Sequence, residues 1–236
     1  MEKFNKTLIK GSFILLIAFG AFNFFHFLYQ VFMARLLSVE DYSILAVLVA
    51  IIYIFTIFTE SIQIIITKYA TKENDKGKLK NIYEKSTRRG AKISLILFIL
   101  YLIISIPLSF ILKINYLLLS FNGLIIFFAF LLPISRGIMQ GKERFSHLGI
   151  NMIIESSIKL VIGILFVYLG FRVYGAVGGM IIGSAFAFLF SLFSIKDIRK
   201  FKEKKAETVG INDYAISTFL ITTIIVIFYS LDVIFA

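Results

Sequence analysis

The chain has 236 residues, of which 59% are hydrophobic and 17% charged, with a formal net charge of +11. Soluble domains average about 45–50% apolar and about 25% charged, so this composition, with its mean hydropathy of +0.91, belongs to a membrane protein. The absence of Cys excludes disulfides and thiolate chemistry, and two His leave little room for a zinc site or a Ser-His-Asp triad.

The N-terminal apolar run continues from Gly11 to Ala34 without a small-residue cleavage site. That exceeds a signal-peptide core of about 7–15 residues, so it is expected to stay as the first span. Seven runs, near 11–34, 42–66, 93–112, 116–135, 148–170, 174–195 and 216–235, are each long enough to cross about 30 Å of hydrocarbon. The expected fold is an all-α integral membrane protein of about seven transmembrane helices, six of them in a lobe over 1–212. The seventh run, within 213–236, is expected to open a second lobe.

Lys and Arg between the runs set the orientation. With the N-terminus in the cytoplasm, the inner segments 1–10, 67–92, 136–147 and 196–213 hold 3, 9, 3 and 6 basic residues. The outer segments hold only Arg35, Lys113 and Arg172, and Lys159 falls within a span. A plasma-membrane protein with a cytoplasmic N-terminus follows, which opposes a seven-helix receptor. Basic residues that otherwise sit in the gaps also argue against a nucleic-acid partner.

Ser38 and Asp41 in the first outer turn form a capping-box-like start for the second span. Segment 67–92 reads as a basic inner loop carrying a short amphipathic helix, and Pro107 and Pro133 as kinks in the third and fourth spans. Gly175, Gly179, Gly183 and Ala187 recur every four residues in the sixth span, and Gly149, Ser156, Gly163 and Gly170 every seven in the fifth. Both are patterns that let helices approach closely.

Several spans carry polar stripes at about 100° per residue. The first has Asn23, His26 and Gln30; the second has Thr56, Glu60, Gln63 and Thr67; the last has Thr218, Thr222 and Asp232. The fifth places Glu155 one turn from Lys159, and Lys159 lies about 16 Å from the inner boundary by helical rise. An ion at such depth costs roughly 2.5–3.5 kcal/mol, so it usually faces a bundle interior or a hydrated cavity. The two residues could instead neutralise each other at i, i+4. Gly137-x-x-x-Gly141-Lys142 is one residue short of a phosphate loop, and Glu143 replaces the required Ser or Thr. No enzyme chemistry, cofactor or metal site is expected.

With the spans placed, three segments resemble the polysaccharide-export flippases of the multidrug/oligosaccharidyl-lipid/polysaccharide (MOP) exporter superfamily. They are ARLLSVEDYSILAVL, the long stretch from SRGIMQGKERFSHLGINMIIESSIK to VYGAVGGMIIG, and the closing SLDVIFA. The resemblance implies about 12–14 spans in two six-helix lobes around a central cavity. Polyprenyl-linked oligosaccharides would then cross the membrane by alternating access. This chain would supply the first lobe and the first helix of the second, with membrane lipid, a lipid-linked anionic glycan, and a missing C-terminal lobe or glycan-assembly proteins as partners. Peptidoglycan-precursor flippases of the superfamily have arginines in the first span where this chain has Asn23 and Tyr29, which argues against that cargo.

The expected site is a cavity in which Lys159 meets the pyrophosphate. Glu155, Asn23, His26 and Gln30 would help line it, Arg35, Arg136 and Arg144 would stand near its mouths, and Glu60, Gln63 and Asp232 would serve gating or ion coupling. Two alternatives stand beside this one. A cation or drug antiporter would use Glu60, Glu155 and Asp232 as its carboxylates. A truncated, non-transporting scaffold of glycan assembly would use none of them.

Overall fold

A computed structural model describes residues 2–206 together with 218, 220, 221 and 224; the side chains of residues 2–10, 56 and 57 are not described. The described residues form helices joined by short turns, and five helical stretches are long and apolar enough to cross a membrane. The chain is a multi-pass membrane protein by this criterion, and its surface agrees. Phe110, Ile111, Val161 and Tyr168 are more than 60% exposed, a distribution suited to a lipid solvent and unfavourable in water.

Helix α1 (Glu2–Leu36) ends at a tight turn, and Ser38 opens α2 (Val39–Lys72) by accepting a hydrogen bond from the Asp41 N–H at 3.1 Å. The basic segment expected to be a loop is mostly helix. α2 runs to Lys72, only residues 73–75 break it, and α3 (Lys76–Leu112) then continues without interruption into the third span. Asp75 accounts for the restart, because its Oδ1 accepts the N–H groups of Gly77 and Lys78 at 2.7 and 3.3 Å. Hydropathy marks where a helix leaves lipid, and these helices continue beyond that point.

α4 (Tyr116–Asn122) and α5 (Ile125–Gly141) form the fourth crossing, with Gly123 and Leu124 still in right-handed helical conformation between them. Pro107 and Pro133 both lie inside continuous helices. The fifth apolar stretch, Phe145–Ser194, is 50 residues long, about twice what one crossing needs. It folds back at a π-turn over Val167–Phe171, where Gly170 has φ 92°. That left-handed value is open to glycine at little cost. α6 (Phe145–Phe166) and α7 (Arg172–Ser194) therefore run antiparallel, and α8 (Lys196–Arg199) follows. Six crossings result; the expected seventh falls almost wholly outside the described residues.

The glycine stripe of α7 is the seam of this hairpin. A Cβ on Gly179 would stand 2.6 Å from the Gly163 backbone, and one on Gly183 would stand 2.6 Å from the Glu155 carbonyl oxygen. Gly137 and Gly141, whose spacing resembles a phosphate loop, pack α5 onto Ile66 and Ala70 of α2. On α1, Ala18 and Tyr29 meet Gly149 and Gly163 of α6. Small residues thus bring α1, α6 and α7 together closely enough for mid-membrane side chains to touch.

Candidate functional site

Five helices place polar groups on one cavity within the bundle, α2 contributing Tyr53 and Thr59. α1 contributes His26 and Gln30, α5 contributes Arg136, α6 contributes Glu155 and Lys159, and α7 contributes Ser184. Its main compartment is about 250 Å³, and a neighbouring one of about 130 Å³ shares Arg136, Glu155 and Ser184 with it. Gln30 and Tyr53 are exposed members of the lining, so the cavity reaches the outside of the lobe.

The ion pair in this cavity differs from the one that spacing suggests. Glu155 does not take Lys159, one turn away on its own helix. Its Oε2 accepts from the Arg136 guanidinium at 2.6 Å, and its Oε1 accepts from the Ser184 hydroxyl at 2.9 Å. Arg136 also donates through Nε to Asn151 Oδ1 at 2.8 Å, and Asn151 donates in turn to the Ala187 carbonyl at 2.6 Å. A planar guanidinium can satisfy two acceptors on successive turns of α6 at once, which an ammonium on the same helix cannot. Arg136, expected at the inner mouth, is instead 8% exposed within the bundle.

Lys159 is left to other partners. It is 7% exposed, its Nζ lies 3.3 Å from His26 Nδ1, and the ammonium stands 4.2 Å from the centre of the Tyr29 ring. Tyr29 is held in place by donating its hydroxyl proton to the Ala176 carbonyl at 2.9 Å. Among the described residues no carboxylate lies within ion-pair distance of Lys159. The Arg136–Glu155 pair cancels, so the cavity carries one lysine charge with only an imidazole and a ring face against it. A buried cation in that position favours an anion. The second nitrogen of His26, Nε2, is buried without a hydrogen-bond partner, so polar capacity remains unused.

The other predicted residues lie elsewhere. Asn23 is exposed and donates to the Phe19 carbonyl of its own helix at 2.8 Å, outside the cavity lining. Arg35 is exposed in the last turn of α1, away from the cavity. Gln63 donates to Gln140 Oε1 at 2.8 Å and joins α2 to α5. Glu60 is exposed on α2, lines neither compartment, and has no polar partner among the described residues. Asp232 lies outside the described residues.

Arg144 is engaged at the end of the bundle, where it forms a fork with both carboxylate oxygens of Asp197 at 2.8 and 2.7 Å and donates to the Ser194 carbonyl. Those Arg144 hydrogen bonds hold the Asp197 carboxyl well below the usual carboxylate range. A depressed acid contributes stability above its unfolded pKa and loses it as pH falls through the folded value. Hydrogen-exchange protection of 194–199 is therefore expected to hold from about pH 7 to pH 5 and to decline in stronger acid. Arg144→Gln should lower that protection already at neutral pH; unchanged exchange would remove the fork's role.

Asn151 and Ser184 escaped the sequence reading, and Tyr29 entered it only as a departure from the arginines of peptidoglycan-precursor flippases. Asn151 was findable, since 151, 155 and 159 form one polar line along the fifth span. Ser184 and Tyr29 look like ordinary packing residues until the neighbouring helix is in place.

The profile of a family described as "Polysaccharide biosynthesis protein" matches residues 8–236. A search of curated proteins gave no match. Among solved structures, the chain is similar to a MOP superfamily transporter from Pyrococcus furiosus, at 14% identity and a TM-score of 0.79 over 98% of this chain and 54% of that one. It is also similar to a MATE transporter solved in complex with MaD3S, at 14% identity and a TM-score of 0.82 over 98% and 55% of the two chains. A MATE structure in the straight conformation gives 14% and 0.80 over 93% and 52%. The fold is that of MOP transporters, and the chain spans about half the length of the structures it matches.

Proposed function

The chain belongs to the polysaccharide biosynthesis protein family, and from that premise and the lysine-bearing cavity we propose that it forms one lobe of a transporter for a polyprenyl-linked, pyrophosphate-bearing glycan in the cytoplasmic membrane. The observation that carries the proposal is Lys159, buried on the cavity wall with no acidic partner among the described residues. A phosphate there would supply the missing counter-charge, and unpaired His26 Nε2 could donate to it in the matching tautomer. The P. furiosus transporter, whose reverse-polarity binding pocket suggests a different function, supports reading cargo class from pocket charge on this fold. A second lobe would close the cavity, and alternating access would carry the headgroup across while the lipid tail stays between lobes.

The test is flipping of a fluorescent polyprenyl-pyrophosphate glycan in proteoliposomes holding the complete transporter. Lys159→Ala is expected to reduce the rate at least about tenfold, the effect of losing roughly 1.4 kcal/mol of charge-assisted binding. Lys159→Arg should retain much of it. An alanine variant that flips at the wild-type rate would overturn the proposal. If two charges cross outward against 100 mV, inside negative, the field contributes about 4.6 kcal/mol. Depolarisation should therefore slow transport, and an unchanged rate in fully depolarised vesicles would remove the field from the mechanism.

A second reading, cation or drug antiport, has one observation in its favour: the exposed Glu60 carboxylate on α2, which has no polar partner among the described residues. Drug resistance lost on Glu60→Gln with glycan display intact would select it.

A further inference from the structure

α3 has two faces of different character. Gly90, Ser94, Tyr101 and Ser105 are buried and share one side at about 100° per residue, with Gly90 lying against Phe130 and Ile134 of α5. The opposite side carries Lys85, Arg88, Arg89 and Lys92, all exposed, within two helical turns. It then continues as Ile96, Ile99 and Ile103, exposed by 58%, 49% and 58%. One face thus changes from cationic to aliphatic at Lys92.

The position of that change has a physical reading. From Ile93 to the left-handed cap at Lys113 the helix runs 20 residues, which at 1.5 Å each is about 30 Å, the thickness of the hydrocarbon layer. The four cations occupy roughly the next 10 Å of the axis, which takes in one headgroup layer of about 5–7.5 Å. None of the four has a hydrogen bond or ion pair among the described residues. The nearby acids are used elsewhere, Glu84 with Lys80 at 3.6 Å and Glu73 with Lys78 at 3.8 Å. Four like charges along two turns repel one another, and a negative surface would relieve that repulsion.

We infer that this face is a docking stripe for the phosphate headgroups of anionic bilayer lipids. Lys85, Arg88, Arg89 and Lys92 bind several headgroups, and the isoleucines below them pack on the same lipids' acyl chains. The stripe is separate from the cavity, since no α3 residue lines either compartment. It fixes the depth of α3 and therefore of α5, which carries Arg136.

The experiment reconstitutes the full chain in phosphatidylcholine vesicles and measures, by spin-label resonance, the motionally restricted fraction of labelled phosphatidylglycerol relative to labelled phosphatidylcholine. Wild type should favour phosphatidylglycerol about threefold or more, and about 0.5 M NaCl should reduce that ratio. The variant K85Q/R88Q/R89Q/K92Q should bring it near one, and the charge-keeping K85R/R88K/R89K/K92R should preserve it. Should the fourfold glutamine variant not reconstitute, K85Q/R88Q and R89Q/K92Q should each lower the ratio part of the way. A wild-type ratio of one, or a ratio that survives the glutamine changes, would overturn the inference. Loss of flipping in Lys159→Ala with the lipid ratio intact would show that the two sites are independent.

Discussion

Glu155→Ala is expected to destabilise the lobe by about 3–5 kcal/mol, the cost of leaving one partner of a buried ion pair uncompensated. The change removes the charged acceptor of the Arg136 guanidinium and the acceptor of the Ser184 hydroxyl together, in a place where both pair members are less than a fifth exposed. Neutral interhelical hydrogen bonds in membranes average only about 0.6 kcal/mol, and exposed surface pairs about 0–1 kcal/mol. The desolvated guanidinium therefore dominates the result. Thermal or denaturant unfolding in a mild detergent would measure it. The double change Arg136→Met with Glu155→Leu should recover most of the loss, because an apolar pair of similar volume leaves no orphan charge. A single-mutant cost below about 1 kcal/mol would mean that water reaches the pair freely.

Gly179→Ala and Gly183→Ala are expected to cost about 1–3 kcal/mol each, although alanine is the better helix former by about 0.8–1.0 kcal/mol. At both positions the new methyl would stand 2.6 Å from backbone of α6, which no rotamer change can relieve. The helices must separate, and the Ser184–Glu155 and Asn151–Ala187 hydrogen bonds span that seam. Gly178→Ala is the internal control. Its methyl would meet ring atoms of Phe166 at 3.4 Å and Phe121 at 4.0 Å, ordinary contact distances, so it should be neutral or stabilising by a few tenths of a kcal/mol. A stability ranking that does not separate 178 from 179 and 183 would contradict the close-packed seam.

Much of the architecture was legible without coordinates, because crossing a bilayer is governed by transfer free energy summed over a single run of residues. The first six apolar runs coincide with helical crossings, the small-residue stripe of the sixth span packs on α6, and Gly149 and Gly163 of the fifth pack on α1. Helical rise also puts Lys159 well inside the fifth span, and the structure has it buried within α6. Segment 67–92 was misread for the same reason. Its polarity reports where α2 and α3 leave lipid, whereas the helices stop only at residues 73–75.

The choice of partners belonged to the tertiary structure. On spacing alone Glu155 and Lys159 are equally good mates for each other, and Arg136 and Arg144 look alike at the two ends of a basic turn. Helix rotation and crossing decide otherwise. They turn Arg136 into the bundle against Glu155, send Arg144 to Asp197, and leave Lys159 with an imidazole and an aromatic face. Depth in the membrane is a one-dimensional property and can be counted along the chain. A counter-charge is a matter of angle and distance between helices far apart in sequence, and only their packing determines it.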